Sequence, residues 1–179
     1  MTYIHHYNSP LGKITMASNG LALTGLWFDG QKYFAETIND EIEEKSLLIF
    51  DKTAKWLDIY FGGKEPDFTP EIMITGTPFR KAVSEIILSV PYGKTMTYGE
   101  IASKIATQKG IERMSAQAVG GAVGHNSISI IIPCHRIVGT NGSLTGYAGG
   151  IDKKIELLKL EKVDMSKLFS PKHFKSCQK

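Results

Sequence analysis

The sequence predicts a mixed α/β fold of the α+β kind, in which a small antiparallel sheet with one helix precedes a largely helical second half. Short alternating apolar runs occupy the first thirty residues and are separated by Asn19-Gly20 and Asp29-Gly30. From Leu47 onward, apolar residues instead recur every three or four positions. Alternation is typical of strands and the longer spacing is typical of helices, so the strands come first along the chain.

The first half is predicted to hold hairpins, one helix and an extended segment. Asn-Gly and Asp-Gly favour hairpin turns because both residues tolerate positive φ. The apolar positions around them are Ile14, Met16, Leu21, Leu23, Leu26 and Phe28. A helix from Leu47 should end at Gly62-Gly63, and the following stretch, which contains two prolines, should be extended.

The second half is predicted to contain three short helices followed by a further one. Thr77 can cap the first, and Thr97 with Glu100 forms the capping-box pattern at the start of the second. Gly110 is suited to end that helix, and Ser115 can cap the third. Three helices with a tight turn between the second and third are typical of a helix-turn-helix.

Charge divides the chain in the same place. Residues 1–76 hold six lysines against eleven acidic residues, whereas residues 77–163 hold eleven Lys and Arg against six acidic residues. We therefore expect an N-terminal α/β domain with its linker over 1–76, a second domain over 77–163, and a disordered polar tail over 164–179. A basic second domain would suit a polyanionic partner, although chance segregation of surface charge explains the same numbers.

Composition is that of a globular protein, with 42% hydrophobic and 22% charged residues in 179. No apolar stretch is long enough to span a membrane, and the N-terminus lacks the pattern of a secretory signal, so we expect a cytoplasmic location. Cys134 and Cys177 form no disulfide framework or zinc-binding pair. Free thiols are expected.

The third helix of the second half contains Gly120, Gly121 and Gly124. Each glycine costs helix stability by up to about 1 kcal/mol relative to alanine. Close packing against another helix would explain them, and so would a slim helix pressed against nucleic acid. A phosphate-binding loop is excluded, because the Lys-Ser/Thr pair of that motif is missing.

Residues 128–132 are apolar and are predicted to form a buried strand that a proline ends, which places Cys134 where the strand gives way to a loop. Such a cysteine is often a small core residue. Its neighbours His135 and Arg136 favour ionisation of the thiol instead. As a base, His135 would need a turned backbone or a bridging water, and also a carboxylate to orient it, for which Glu161 is one candidate.

The stretch PCHRIV, preceded by AVGGAVGHN and followed by GYAGG, resembles the signature of the O6-alkylguanine-DNA alkyltransferases, also called methylated-DNA-protein-cysteine methyltransferases. SPLGKITMASNGLALTGLWFDGQ and TAKWLDIYFGG resemble the N-terminal domain of that family, and residues 77–163 resemble its catalytic winged-helix domain. The resemblance implies repair of DNA by stoichiometric, irreversible transfer of an alkyl group from O6-alkylguanine, and also from O4-alkylthymine, to an internal cysteine. It also implies a monomer, without metal or cofactor, that binds double-stranded DNA through the minor groove.

By that resemblance, Cys134 is the acceptor, His135 the base acting through a water, and Glu161 the carboxylate that orients His135. Asn126 is the hinge between recognition helix and active site, and Tyr98 donates a hydrogen bond to the flipped guanine. The residues implied in substrate binding are Tyr147, Ala148, Ile137 and Ser129. Those implied in DNA binding are Ser115, Ala116, Gln117, Ala118, Gly120, Gly121 and Arg136.

Three departures from the family pattern stand out. Gln117 occupies a position where many relatives carry an arginine, and Ser127 replaces the proline that commonly follows the hinge asparagine. Neither cysteine lies in the first half, so the zinc site of some relatives has no counterpart. A weaker, less salt-dependent hold on DNA and a less rigid hinge are the expected consequences.

Two other functions fit parts of the sequence. A helix-turn-helix protein could flag lesions without removing them, but the joint presence of Cys134, His135 and Glu161 argues against it. A cysteine hydrolase would need an oxyanion hole and would leave the small-residue helix and the basic half unexplained.

Overall fold

The structure is a computed structural model in which residues 1–171 are described. The first half forms a four-stranded sheet of strands β1 (Thr2–Ser9), β2 (Gly12–Ser18), β3 (Leu23–Phe28) and β4 (Ile42–Glu44), in the order β3-β2-β1-β4. The first three strands are antiparallel, and β4 lies parallel to β1. The mixed fold predicted from the sequence is confirmed.

Of the two predicted hairpin turns, the structure contains one. Asn19-Gly20 does join β2 to β3, and the Asn19 side chain accepts hydrogen bonds from the backbone amides of Leu21 and Ala22. Leu21 was wrongly placed in a strand, since it lies in this turn and is exposed. Asp29-Gly30 ends β3 but leads into a series of turns rather than a hairpin.

Helix α1 (Leu48–Phe61) packs against β1 and buries Phe50, Trp56, Leu57 and Tyr60. As predicted, it ends at Gly62-Gly63, where Gly63 has a positive φ of 84°. The segment after it is extended, and its residue Ile72 pairs with Leu23 beside β3.

The second half contains α2 (Pro78–Leu88), β5 (Met96–Thr97), α3 (Tyr98–Lys109), α4 (Ala116–Gly124), β6 (Ile137–Val138) and α5 (Ile151–Leu160). The predicted caps are present: Thr77 and Ser115 each accept from a backbone amide, and Thr97 forms a reciprocal capping box with Glu100. Gly110 ends α3 with a φ of 64°. Helices α2, α3 and α4 pack against one another.

The predicted strand over residues 128–132 is wrong. These residues are buried as expected, but they form a tight turn in which Ile130 has a φ of 70°. The side chain of Asn126 bonds the amide of Ile128 and the carbonyls of Ile128 and Ile132, so it satisfies backbone groups that a neighbouring strand would otherwise satisfy.

The two halves share one hydrophobic core. Its buried residues come from the sheet, from all five helices and from the 128–132 turn. Backbone hydrogen bonds also cross the boundary, since Leu26 of β3 donates to Ser127 and accepts from Ser129 at 2.8 and 2.9 Å. The N-terminal sheet therefore directly supports the turn that precedes Cys134.

The prediction that the tail is disordered from residue 164 is wrong for its described part. Met165 and Leu168 pack against a second buried cluster around Val138 and Leu158. Phe169 continues this contact through backbone hydrogen bonds to Gly142 and Leu144. Cys177 lies outside the described residues. No helix within residues 1–171 has both the length and the apolar character needed to cross a membrane.

Candidate active site

Cys134 opens a single 3-10 turn, Cys134–Arg136, which directs three consecutive side chains into the protein. The cysteine is 4% exposed and His135 is fully buried. Pro133 precedes the turn and its carbonyl accepts from the amide of Arg136 at 2.9 Å. The turned backbone that a histidine base would require is therefore present.

Glu161 is the centre of the hydrogen-bond network around this turn. It follows α5, is 2% exposed, and its Oε1 accepts from His135 Nε2 at 2.7 Å and from the Tyr60 hydroxyl at 2.8 Å. Its Oε2 accepts from Arg136 Nε at 2.9 Å and from the amide of Gly93 at 3.1 Å. Burial alone raises the pKa of Glu161, but the hydrogen bonds and charges of His135 and Arg136 outweigh it and lower that pKa to about 2.

His135 is held as a neutral imidazole with one nitrogen available. Because Nε2 faces an ionised carboxylate, it carries the hydrogen and leaves the lone pair on Nδ1. Nδ1 is buried and has no hydrogen-bond partner among residues 1–171. Burial lowers the pKa of His135 despite the opposing effect of Glu161, so the ring is neutral near neutral pH and its Nδ1 lone pair is available.

Arg136 does not lie where the sequence placed it. It was predicted to bind DNA, but its side chain is buried and makes two hydrogen bonds to Glu161, with a third to the carbonyl of Val90 at 2.7 Å. A carboxylate buried with an imidazole needs a compensating cation, and Arg136 supplies it in the bidentate geometry that suits guanidinium. It is therefore a structural member of the site.

The side chains of His135 and Arg136 were expected to favour ionisation of the Cys134 thiol, but neither is among the groups that lower its pKa. Burial raises its pKa, while a hydrogen bond from Asn126, the charge of Lys154 and the amides of Cys134 and His135 act in the opposite direction. The charge of Arg136 is already compensated by Glu161. A buried thiol of this kind needs a base at the moment of attack.

Lys154 was missed in the sequence. It is fully buried on α5, and its Nζ donates to the carbonyl of Ile137, which follows the 3-10 turn, and to that of Thr145 at 3.1 Å. Burial lowers the pKa of Lys154 to about 8, although Cys134 acts in the opposite direction. Its spacing from Leu157, Leu158 and Glu161 follows the inward face of a helix, and this was the available signal.

A cavity of about 520 Å³ lies between α4 and the segment that precedes α5. Tyr147 and Ala148, both predicted to bind substrate, line it together with Gly120, Gly121 and Tyr33. Tyr147 also interacts electrostatically with Cys134. Ser129 and Ile137, also predicted to bind substrate, are buried and do not line this cavity, and neither does Cys134, so their part in substrate binding stays a prediction.

Tyr98 stands at the start of α3, and its hydroxyl donates to the carbonyl of Thr145 at 3.0 Å. The same carbonyl accepts from Lys154, so both residues hold the segment that leads to Tyr147. Burial raises the pKa of Tyr98 to about 12, which keeps its hydroxyl protonated. Residues 1–171 bring no three His, Cys, Asp or Glu side chains together as a metal site would require.

Comparison with known proteins agrees with this arrangement. Residues 78–163 match the family described as the 6-O-methylguanine DNA methyltransferase DNA binding domain, and residues 2–74 match the ribonuclease-like domain of the same family. The chain belongs to the methylated-DNA–protein-cysteine methyltransferase family. The resemblance seen in the sequence is thereby confirmed.

Relatives that carry the family name cover nearly the whole chain. One from Mycobacterium tuberculosis is 40% identical over 162 residues, which are 90% of this chain and 93% of the relative. One from Methanosarcina mazei is 41% identical over 159 residues, which are 89% and 96% of the two chains. The Mycobacterium tuberculosis OGT solved in complex with DNA superposes with a TM-score of 0.78 at 39% identity, covering 89% of this chain and 92% of that one.

Helix α4 has one buried face and one slim exposed face. Val119, Ala122 and Val123 enter the core, and the residues from 115 to 121 that the family resemblance assigned to DNA lie on or beside the exposed face. A Cβ added at Gly120 or Gly121 would meet nothing within 4 Å. Packing inside the chain therefore does not require these two glycines, which removes one of the two explanations for them.

Asn126, predicted to be the hinge, lies directly after the end of α4. Its side chain joins the end of α4 to the 128–132 turn and acts to lower the pKa of the Cys134 thiol. Ser127, which replaces a proline, uses its carbonyl to accept the amide of Leu26. This bond ties the hinge to β3, and a proline carbonyl at the same position could accept it equally well.

Proposed function

We propose that this protein repairs DNA by moving an alkyl group from the O6 atom of guanine to Sγ of Cys134. The observation that carries the proposal is the buried hydrogen bond of 2.7 Å between His135 and Glu161, next to a buried cysteine in a chain of this family. In the reaction the S–H bond and the bond from alkyl carbon to O6 break. The new S–C bond forms, and the thiol proton is balanced by the proton that guanine regains.

His135 acts as the base through its Nδ1. The thiol has a raised pKa and the imidazole a lowered one, so the proton moves at the moment of attack rather than beforehand. A bridging water carries the proton, and Glu161 stabilises the imidazolium that forms. A thiolate suits this displacement because it is a soft nucleophile of low basicity.

Tyr98 stabilises the leaving guanine. In the resting protein its protonated hydroxyl donates to the carbonyl of Thr145, and when the base is bound it donates to the base instead. The O6 atom of guanine gains negative charge as its bond to the alkyl carbon breaks, and this hydrogen bond stabilises that charge. Tyr147 and Ala148 hold the base in the cavity beside α4. These roles follow the family pattern residue by residue.

The DNA is bound through its minor groove by the exposed face of α4. Gly120 and Gly121 leave room for close approach, and Gln117 is exposed near the start of the helix. The similar Mycobacterium tuberculosis protein has been solved in complex with DNA, which supports DNA as the ligand. Because Cys134 is 4% exposed, the damaged base must leave the duplex to reach it, at a cost of a few kcal/mol.

Each molecule reacts once, as a monomer and without a metal or cofactor. The thioether offers no ready leaving route, so the alkylated protein does not return to its starting state. The same geometry serves O4-alkylthymine, in which the alkyl group is also bonded to an exocyclic ring oxygen.

The test is to mix the protein with duplex DNA that bears O6-methylguanine and to examine its peptides by mass spectrometry. The peptide that contains Cys134 should gain one methylene, in an amount equal to the lesion repaired. Cys177→Ser is the control and should gain the same mass, whereas Cys134→Ser should gain none. Repaired DNA with unmodified protein would show hydrolysis instead, and tight binding with neither change would show a lesion-flagging protein.

A further inference from the structure

We propose that Tyr60, contributed by the N-terminal half, is a positioning residue for His135 and Glu161. The inference rests on the roles proposed above for those two residues. It gives the N-terminal half a direct part in the chemistry at Cys134.

The hydroxyl of Tyr60 lies where the two side chains meet. It donates to Glu161 Oε1 at 2.8 Å and lies 3.3 Å from His135 Nε2. Its single hydrogen points to the carboxylate, so its oxygen presents a lone pair to the Nε2 hydrogen. Nε2 thus faces two acceptors, which fixes the hydrogen on that nitrogen and leaves Nδ1 free for the thiol proton.

Tyr60 is a permanent donor in a rigid position. Burial and the charge of Glu161 raise its pKa far above the usual value, so the hydroxyl stays protonated. The ring is fully buried and stacks on Trp56 at 5.3 Å, with Phe61 and Tyr92 against its edges. Helix α1 therefore sets the position of the hydroxyl.

The hydrogen bond also sets the strength of the base. Each donor to Glu161 spreads its negative charge and weakens its attraction for a proton on His135. At 2.8 Å this bond outweighs the longer contact of 3.3 Å in which the Tyr60 oxygen faces Nε2 and favours the imidazolium. Removal of the Tyr60 hydroxyl should therefore raise the pKa of His135, so that more of the imidazole is protonated at a given pH. Alkyl transfer needs the neutral imidazole. The acidic limb of the curve of transfer rate against pH would therefore move to higher pH.

The experiment compares single-turnover transfer from O6-methylguanine DNA across pH for the wild type and Tyr60→Phe. We expect the variant to react roughly 10-fold more slowly near neutral pH, with its acidic limb displaced upward. Tyr7→Phe is the matched control, because it also removes a hydroxyl that donates to a carboxylate, Asp58, but in an exposed place. It should keep the wild-type rate and profile.

A second measurement reads His135 directly. In protein labelled at histidine, NMR titration should show a higher His135 pKa in Tyr60→Phe than in the wild type. Installing 3,5-difluorotyrosine at position 60 strengthens the donor while keeping the shape, so it should move both the NMR titration and the acidic limb to lower pH. This variant keeps the test decisive if Tyr60→Phe folds poorly.

An unchanged rate profile and His135 titration in both variants would reduce Tyr60 to a packing residue and overturn the proposal. A slower rate without displacement of either curve would do the same, since loss of stability alone gives that result. Failure of the proposed function is a separate outcome. In that case wild-type Cys134 gains no methyl group, while the His135 titration still reports whether Tyr60 sets its pKa.

Discussion

At the scale of single residues, two buried cations act on different groups of the site, Arg136 on the carboxylate and Lys154 on the thiol. Arg136 compensates Glu161, whereas Lys154 has no carboxylate partner in the described chain and faces the thiol and two carbonyls. The charge that opposes the effect of burial on the pKa of Cys134 therefore comes from α5. The guanidinium next to the cysteine in the sequence serves the carboxylate instead.

Replacing Lys154 by methionine should make the thiol harder to ionise. The buried stem stays, but the charge that opposes the effect of burial on Cys134 is lost, so its pKa rises further. We expect Cys134 to react roughly 5-fold more slowly with iodoacetamide near pH 7, where Lys154 is still charged in the wild type. Lys159→Met, on the exposed face of α5, is the control, and an equal loss in both variants would contradict the role of Lys154.

Residues that act at Cys134 differ in how far the sequence could reveal them. His135 and Glu161 were found through adjacency and family pattern. Tyr60 and Gly93 were not, because nothing local marks a tyrosine on an amphipathic helix or a turn glycine as a partner of Glu161. These contacts are set by tertiary packing over separations of up to 101 residues.

At the scale of elements, α4 carries a cost that the fold itself does not require. Gly121→Ala should stabilise the free protein by up to about 1 kcal/mol, because alanine is the better helix former and the added Cβ meets nothing. The same methyl group should weaken binding to duplex DNA and slow transfer, if this face enters the groove.

Thermal unfolding and DNA titration of Gly121→Ala measure the two effects separately. Gly110→Ala provides a contrast, because its φ of 64° makes alanine strained and should lower stability. A Gly121→Ala protein that is more stable and binds DNA as well as the wild type would place the DNA elsewhere.

Local sequence signals predicted the helices well and the turn before the cysteine badly. Thr77, Thr97 and Ser115 mark helix starts through contacts within three residues, which a sequence displays. The 128–132 turn instead depends on Asn126 and on the backbone of Leu26. An apolar run without those distant partners cannot be told from a strand.

At the scale of the whole molecule, the buried network makes stability depend on pH. The pKa of Glu161 is lowered to about 2, so its contribution is full above the ordinary value of 4.5 and is lost as pH falls from about 4.5 to about 2. The pKa of His135 is also lowered, so its unfolded form takes up a proton first and stability declines below about pH 6.5.

Urea unfolding measured between pH 7 and pH 3 should show both losses as a steady fall in the free energy of unfolding. Glu71→Gln removes an exposed carboxylate paired with Lys52 and should leave the slope nearly unchanged. A flat profile in the wild type would contradict the buried, ionised state of Glu161.

The bond from Tyr60 to Glu161 also has a consequence during synthesis. Residues 1–61 leave the ribosome long before α5 does, so the sheet and α1 can form while the carboxylate has yet to be made. Until Glu161 arrives, His135 lacks both its orienting group and a fixed hydrogen position. We therefore expect Cys134 to become reactive only after Glu161 has been translated.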